Sequence, residues 1–357
     1  MGISYGLKLK LDIYGGSHDE KIGMTLDRIP AGETIDLDAL RAFMARRAPG
    51  NDAYSTARKE ADEPVFLSGL DGNVTNGGRI EAVIYNQNQI SGDYSSLVDT
   101  PRPSHADYAA RMKYGDTVDL RGGGHFSGRL TAPMCIAGGI CLQILERRGI
   151  RIGAHIYSIG SVADTPFDPV CVSERDFHLL HSRRFSVLDE KRGEDMRAII
   201  EDARLCGDSV GGIVECAAIG LPVGLGEHMF ASVEGAISSI IFGIPAVKGI
   251  EFGSGFSSAS LRGSQNNDPF VTDGSRVLTR TNNAGGILGG MTSGMPLIFR
   301  AAIKPTPSIA IEQDSVSLSR MENVKITVGG RHDPCIVPRA VPVFEAVCAI
   351  AIFDLMV

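Results

Sequence analysis

Two histidines in short polar contexts are the first residues of this chain equipped for chemistry. His18 closes Gly15-Gly16-Ser17-His18, and His105 sits within Arg102-Pro103-Ser104-His105-Ala106-Asp107. Imidazole titrates near neutrality, so both suit proton transfer. Arginines recur beside turn residues, at Arg46, Arg47, Arg102, Arg121, Arg129, Arg331 and Arg339. A guanidinium grips carboxylate and phosphate bidentately, so their convergence in one cleft would select an anionic substrate. Glycine runs recur at Gly122-Gly123-Gly124, Gly285-Gly286-Ile287-Leu288-Gly289-Gly290 and Gly329-Gly330. Backbone N–H groups in such loops can cradle phosphate, although tight turns call for glycine too. Taken singly, each histidine reads equally as a structural residue and each arginine as a surface ion pair.

Other chemistries lack their motifs. No dinucleotide-binding glycine fingerprint opens a helix after a strand, and no phosphate-binding GxxxxGK[ST], HExxH or GxSxG occurs. His178 and His181 lie three apart among Leu179, Leu180 and Ser182, which reads as a helix face; no metal is expected. Aromatics make up 6% and Trp is absent, which argues against base stacking. The net charge of -7, without a long basic run, argues against nucleic-acid and membrane partners. The seven cysteines are odd in number and form no CxxC pair, so they read as core thiols in a reducing, cytoplasmic setting. No basic-then-apolar leader is visible at the N-terminus.

These groups need a scaffold, and 357 residues with 43% hydrophobic content suffice for a substantial core. The alternation from Leu7 to Ile13 predicts a strand with one wet face. Asp36 is placed to cap a helix running to about Arg47. Strands are expected at Arg79 to Tyr85, Ile150 to Ile156, Gly212 to Ile219 and Pro296 to Ile303. Helices are expected at Ala132 to Arg148, Glu194 to Leu205, Phe230 to Ile241 and Pro342 to Leu355, the last with proline in its first turn. The mixture implies an α/β (α+β) class, and the absence of repeats or linkers implies one large domain over residues 1–357. Long Gly/Ser/Asn-rich connections fall at 121–128, 253–268 and 281–294, and such loops are often functional.

Read together, these segments resemble the chorismate synthase family. The first histidine segment is similar to the family's Gly-Glu-Ser-His-Gly, Arg46-Arg47-Ala48-Pro49-Gly50 to its double-arginine segment, and Arg102 to Asp107 to its second histidine motif. Gly207-Asp208-Ser209-Val210-Gly211-Gly212, Ala246-Val247-Lys248-Gly249-Ile250-Glu251, Lys304-Pro305-Thr306-Pro307-Ser308 and Gly330-Arg331-His332-Asp333-Pro334 continue the match in order. The resemblance implies a β-α-β sandwich, usually a homotetramer. It implies anti-1,4-elimination of phosphate from 5-enolpyruvylshikimate 3-phosphate to give chorismate, using reduced FMN. It leaves open whether the chain reduces flavin itself with NADPH or relies on an external reductase.

Carried over by position, the resemblance casts His18, His105 and Asp333 as catalytic: His105 as a proton donor to reduced flavin, His18 to the departing phosphate, Asp333 as a carboxylate assisting proton removal. It assigns cofactor contacts to His125, Phe126, Ser127, Pro245, Ala246, Gly289, Lys304, Pro305, Thr306, Pro307, Ser308 and Arg331. Substrate contacts fall on Arg46, Arg47, Arg102, Arg129 and Arg339. The chain departs from the family pattern at Gly16, Asp19, Ala48, Ala53, His125 and Leu130, where a glutamate, a glycine and arginines are expected. Protonated His125 would replace part of its arginine. The alternative reading is a non-catalytic flavin- or phosphate-binding paralogue.

Overall fold

The computed structural model describes residues 3–50, 62–86, 99–329 and 332–357. Two five-stranded antiparallel sheets enclose a layer of helices. In the first sheet the order is Ile3–Tyr5, Lys10–Tyr14, Lys21–Asp27, Ile80–Tyr85, Val65–Ser68. In the second it is Val247–Phe252, Leu297–Ile303, Gly212–Ile219, Arg151–Ile159, Val162–Ala163.

Helix Thr131–Arg147 packs on Lys21–Asp27 and Ile80–Tyr85 of the first sheet, and helix Val337–Met356 on Arg151–Ile159 and Gly212–Ile219 of the second. The two helices lie against each other. Their approach depends on Gly138, where an added Cβ would stand 2.3 Å from that of Ala346. One cluster of buried apolar side chains runs through both sheets and both helices. Burial of this kind is the main favourable term in folding.

Strand alternation sorts each sheet. On Gly212–Ile219, Val214, Cys216 and Ala218 join the central core, while Ala217 packs outward with Phe167, Phe177, Leu180 and Ile298. Glu215 shares that outer face and is fully buried. Five cysteines are buried and Cys171 and Cys206 are exposed.

Asp36 caps helix Leu37–Arg47, its carboxylate accepting from Asp38 N at 3.0 Å and Ala39 N at 2.9 Å. The first expected strand starts late, at Lys10. Leu7, Lys8 and Leu9 instead donate their N–H groups to the buried Asp354 carboxylate at 2.8, 2.8 and 2.6 Å. The C-terminal helix starts early, at Val337, with Pro338 in its first turn and Pro342 inside it. An internal proline removes one helical hydrogen bond, and near-complete burial of this helix offsets the loss.

Candidate active site

Loops at the ends of both sheets and of the central helices meet around a cavity of about 570 Å³. Its wall takes Arg47 from the end of a helix, and Arg102 and His105 from the segment before helix Asp107–Tyr114. His125 to Arg129 come from the glycine-rich loop, and Pro245 and Ala246 precede strand Val247–Phe252. Lys304 and Thr306 to Ser308 follow strand Leu297–Ile303, Asp333 comes from the segment before the C-terminal helix, and Arg339 from its first turn. Segments far apart in the chain thus deliver the charged groups to one place.

The glycine-rich loop is shaped by Gly122, Gly123 and Gly124, whose φ values of 56°, 88° and 51° favour glycine. It is tied down by Ser17, whose N–H donates to Gly124 O at 3.2 Å and whose hydroxyl donates to Arg121 O at 2.9 Å. A Cβ on Gly123 would lie 3.6 Å from His105 Nε2, so the loop rests on that ring.

His105 Nδ1 lies 2.5 Å from Asp107 Oδ1. With Nδ1–H donating to the carboxylate, Nε2 is the nitrogen turned toward the loop. Arg102 clasps the same carboxylate through Nε at 2.7 Å and Nη2 at 2.8 Å, and donates to Ser308 Oγ at 3.1 Å. Burial alone would raise the Asp107 carboxyl, but hydrogen bonds from Arg102 and His105 hold it far below the usual carboxylate range. Asp107, two residues beyond His105 in its motif, is a site residue that the sequence reading quoted without a role.

Arg47 and Arg129 share one buried carboxylate, that of Asp62. Arg47 is held further by Thr131 Oγ1 at 3.1 Å and Gly128 O at 3.1 Å. Arg129 Nε donates to Asn86 Oδ1 at 3.1 Å. Arg339 Nη1 pairs with Asp333 Oδ2 at 2.5 Å. Lys304 Nζ donates to Ser104 O, and its pKa is lowered by burial and then by the charge of Lys248 nearby. An anion placed there would offset the charge of Lys248 and favour the ammonium form.

Most of the expected contacts line this cavity, and four do not. Arg46 turns away, its guanidinium pairing with buried Glu345 at 2.5 and 3.0 Å. Burial pushes the Glu345 carboxyl up, but Arg46 and His181 bring it down to about 2. Consecutive residues near a helix end point about 100° apart, so only one of two adjacent arginines reaches the cavity. His18 lies behind the wall, where a Cβ on Gly122 would come within 2.3 Å of its ring. Gly289 occupies the exposed tip of the hairpin Ile287–Leu288 and Met291–Thr292, at φ 62°. Pro305 is exposed and does not line the cavity. Arg331 and Ala53 lie outside the described residues. His125 does line the wall, but its Nδ1 is 2.7 Å from Gly15 O. That nitrogen is therefore a donor to the backbone, and only Nε2 can serve a ligand.

The model of the family described as chorismate synthase matches residues 9–357. The chain belongs to the chorismate synthase family. It is 45% identical to chorismate synthase of Lancefieldella parvula, over 99% of this chain and 96% of that protein. It is 46% identical to that of Thermococcus kodakarensis, over 98% of this chain and 96% of the relative. A crystal structure of a chorismate synthase superposes with a TM-score of 0.77 at 26% identity, covering 99% of this chain and 92% of the other. The sandwich seen here is thus the family's fold, and the chain has the family's enzymatic activity.

FMN binding is expected of the family, and this cavity suits it. Its wall holds apolar Phe126, Pro245 and Ala246 together with several cationic side chains. Thr306 Oγ1 is buried and has no hydrogen-bond partner among the described residues. Ser104 and Ala246 hold left-handed backbones at φ 58° and 73°, and non-glycine strain of this kind gathers at ligand sites.

Proposed function

We propose that this cavity binds reduced FMN beside 5-enolpyruvylshikimate 3-phosphate and eliminates phosphate and a ring proton to give chorismate. The observation that carries this reading is the convergence of Arg47, Arg102, Arg129, Arg339 and Lys304 on a wall that also holds His105 and Asp333. A substrate bearing a phosphate and two carboxylates matches that charge.

Phe126, Pro245, Ala246 and Thr306 to Ser308 would hold the flavin, with Lys304 toward an anionic part of it. Reduced flavin held there would supply transient electron-transfer chemistry with no net redox change. The protein's own work is orientation and proton management. Asp107 holds Nδ1–H of His105, which leaves Nε2 as the nitrogen that exchanges a proton at the cavity face. Asp333, fixed by Arg339, is the carboxylate positioned to assist proton removal. Arg47 and Arg129 grip anionic groups of the substrate. His18, packed behind Gly122 of the cavity wall, is the residue assigned to the departing phosphate.

The same reading extends to a single domain over the whole chain, supported by the core cluster common to both sheets. It extends to a homotetramer, supported by exposed apolar side chains such as Phe230 (96%), Phe256 (84%) and Phe270 (68%). Seven free thiols support a cytoplasmic location.

The test is anaerobic incubation with reduced FMN and the enolpyruvyl phosphate, following chorismate absorbance and phosphate release together. Coupled formation of both, lost in His105→Ala, is expected. Flavin binding without either product would overturn the reading. Repeating the assay with oxidised FMN and NADPH decides whether the chain reduces its own flavin.

A further inference from the structure

Asp62 is fully enclosed at 2% exposure, and nothing in the reading above gives it a role. Each of its carboxylate oxygens takes one arginine, Oδ2 from Arg47 and Oδ1 from Arg129. Both arginines line the cavity, while Asp62 stands outside its wall. Two buried guanidinium groups side by side repel each other in a medium of low dielectric. A shared carboxylate removes that repulsion and fixes their separation. It leaves the trio with one net positive charge facing the ligand. Burial pushes the Asp62 carboxyl up, but the two arginines outweigh it and keep it ionised. The backbone at Asp62 is left-handed, at φ 52°, a conformation that aspartate tolerates better than most residues.

We infer that Asp62 is a positioning residue of the site, clamping Arg47 and Arg129 at the spacing that receives an anionic group of the substrate. The inference rests on the reading that these two arginines bind the substrate. In it, Asp62 never touches substrate or flavin; it sets the geometry of the groups that do. Misplacement of binding groups by about 1 Å can cost on the order of 100-fold in rate.

The test is Asp62→Gly, because glycine accepts φ 52° without strain and leaves a hole the size of a small carboxylate. Substrate affinity is measured by calorimetry, and turnover with reduced FMN, with and without added formate. Formate can occupy the hole and restore the bridge. The expected result is affinity weakened by roughly tenfold or more and regained with formate, while FMN affinity is unchanged. Asp62→Asn, which keeps the volume but not the charge, should show the same weakening without formate rescue. Substrate affinity unchanged in both variants, or tighter binding in Asp62→Gly, would overturn the proposal; tighter binding would make the carboxylate a competitor of the ligand. If neither variant folds even with formate, Asp62 is a structural residue and the proposal also fails. Arg47→Met and Arg129→Met are measured alongside. If these leave substrate affinity intact, the underlying reading of the arginines fails, and that outcome is distinct from failure of the clamp alone.

Discussion

His105 and Asp107 form one unit, with Nδ1 of the ring 2.5 Å from Oδ1 of the carboxylate and Arg102 clasping that same carboxylate. Asp107→Asn should allow the ring to adopt the wrong tautomer. Because an acid or base catalyst contributes about 10²–10⁴-fold, kcat is expected to fall by roughly 100-fold or more. The KM for substrate should change much less. A pH profile of kcat with its histidine limb displaced would accompany the loss; an unchanged kcat would remove Asp107 from the mechanism.

Arg46 and Arg47 are neighbours with opposite duties. Arg46→Met leaves Glu345 buried without its main counter-charge, and breaking such a pair costs about 3–5 kcal/mol. Stability by urea unfolding should drop while KM per folded enzyme stays close to wild type. Arg47→Met should raise KM by roughly tenfold or more. The reverse pattern would return Arg46 to the site.

His155 bridges Asp164 at 2.9 Å through Nδ1 and Glu215 at 2.8 Å through Nε2, entirely inside the protein. Burial opposes its charge, but the two carboxylates outweigh this and raise its pKa. Its stabilising contribution is therefore complete below about 6.5 and is lost as pH rises through the raised folded value. Burial raises Glu215, but His155 and Arg300 more than reverse this, so its share is present above about 4.5 and lost on acidification. Urea midpoints measured from pH 5 to 10 should decline on the alkaline side. In His155→Gln that limb should vanish along with about 3–5 kcal/mol of stability at pH 6.

Asp354 accepts three consecutive backbone N–H groups, from Leu7 at 2.8 Å, Lys8 at 2.8 Å and Leu9 at 2.6 Å. Asp354→Ala leaves them without that acceptor, and a loss of about 3 kcal/mol is expected from charge-assisted bonds of this kind. Differential scanning calorimetry measures it. Activity per folded molecule should persist, because the contact lies away from the cavity wall.

Lys304 faces the cavity beside the influence of Lys248. Lys304→Met should weaken FMN by roughly tenfold and flatten the salt dependence of its binding. Fluorescence quenching of FMN at two ionic strengths checks both; equal affinity in the variant would place the anionic end of the flavin elsewhere.

Local chemistry in the sequence determined much of this protein. Strand Gly212–Ile219 and the cap at Asp36 are legible locally, the cap as a single carboxylate beside a helix pattern. The histidines, arginines and glycine runs announced an anion-handling site, because their side-chain chemistry is the same wherever the chain puts them. The family was legible through motifs in fixed order. Pairing was not legible. Arg46 and Arg47 carry the same charge on adjacent residues, and only the helix's orientation beside Glu345 sends one to the core and the other to the cavity. Asp62 and Asp107 look like ordinary surface acids until the fold delivers guanidinium groups to them from residues 15 and 67 positions away in one case and 5 in the other. Leu7 to Leu9 alternate like a strand, yet a carboxylate more than 340 residues later takes their N–H groups. Sequence sets what each group can do. Electrostatic partners and burial depend on distances between remote segments, and those distances exist only in the folded chain.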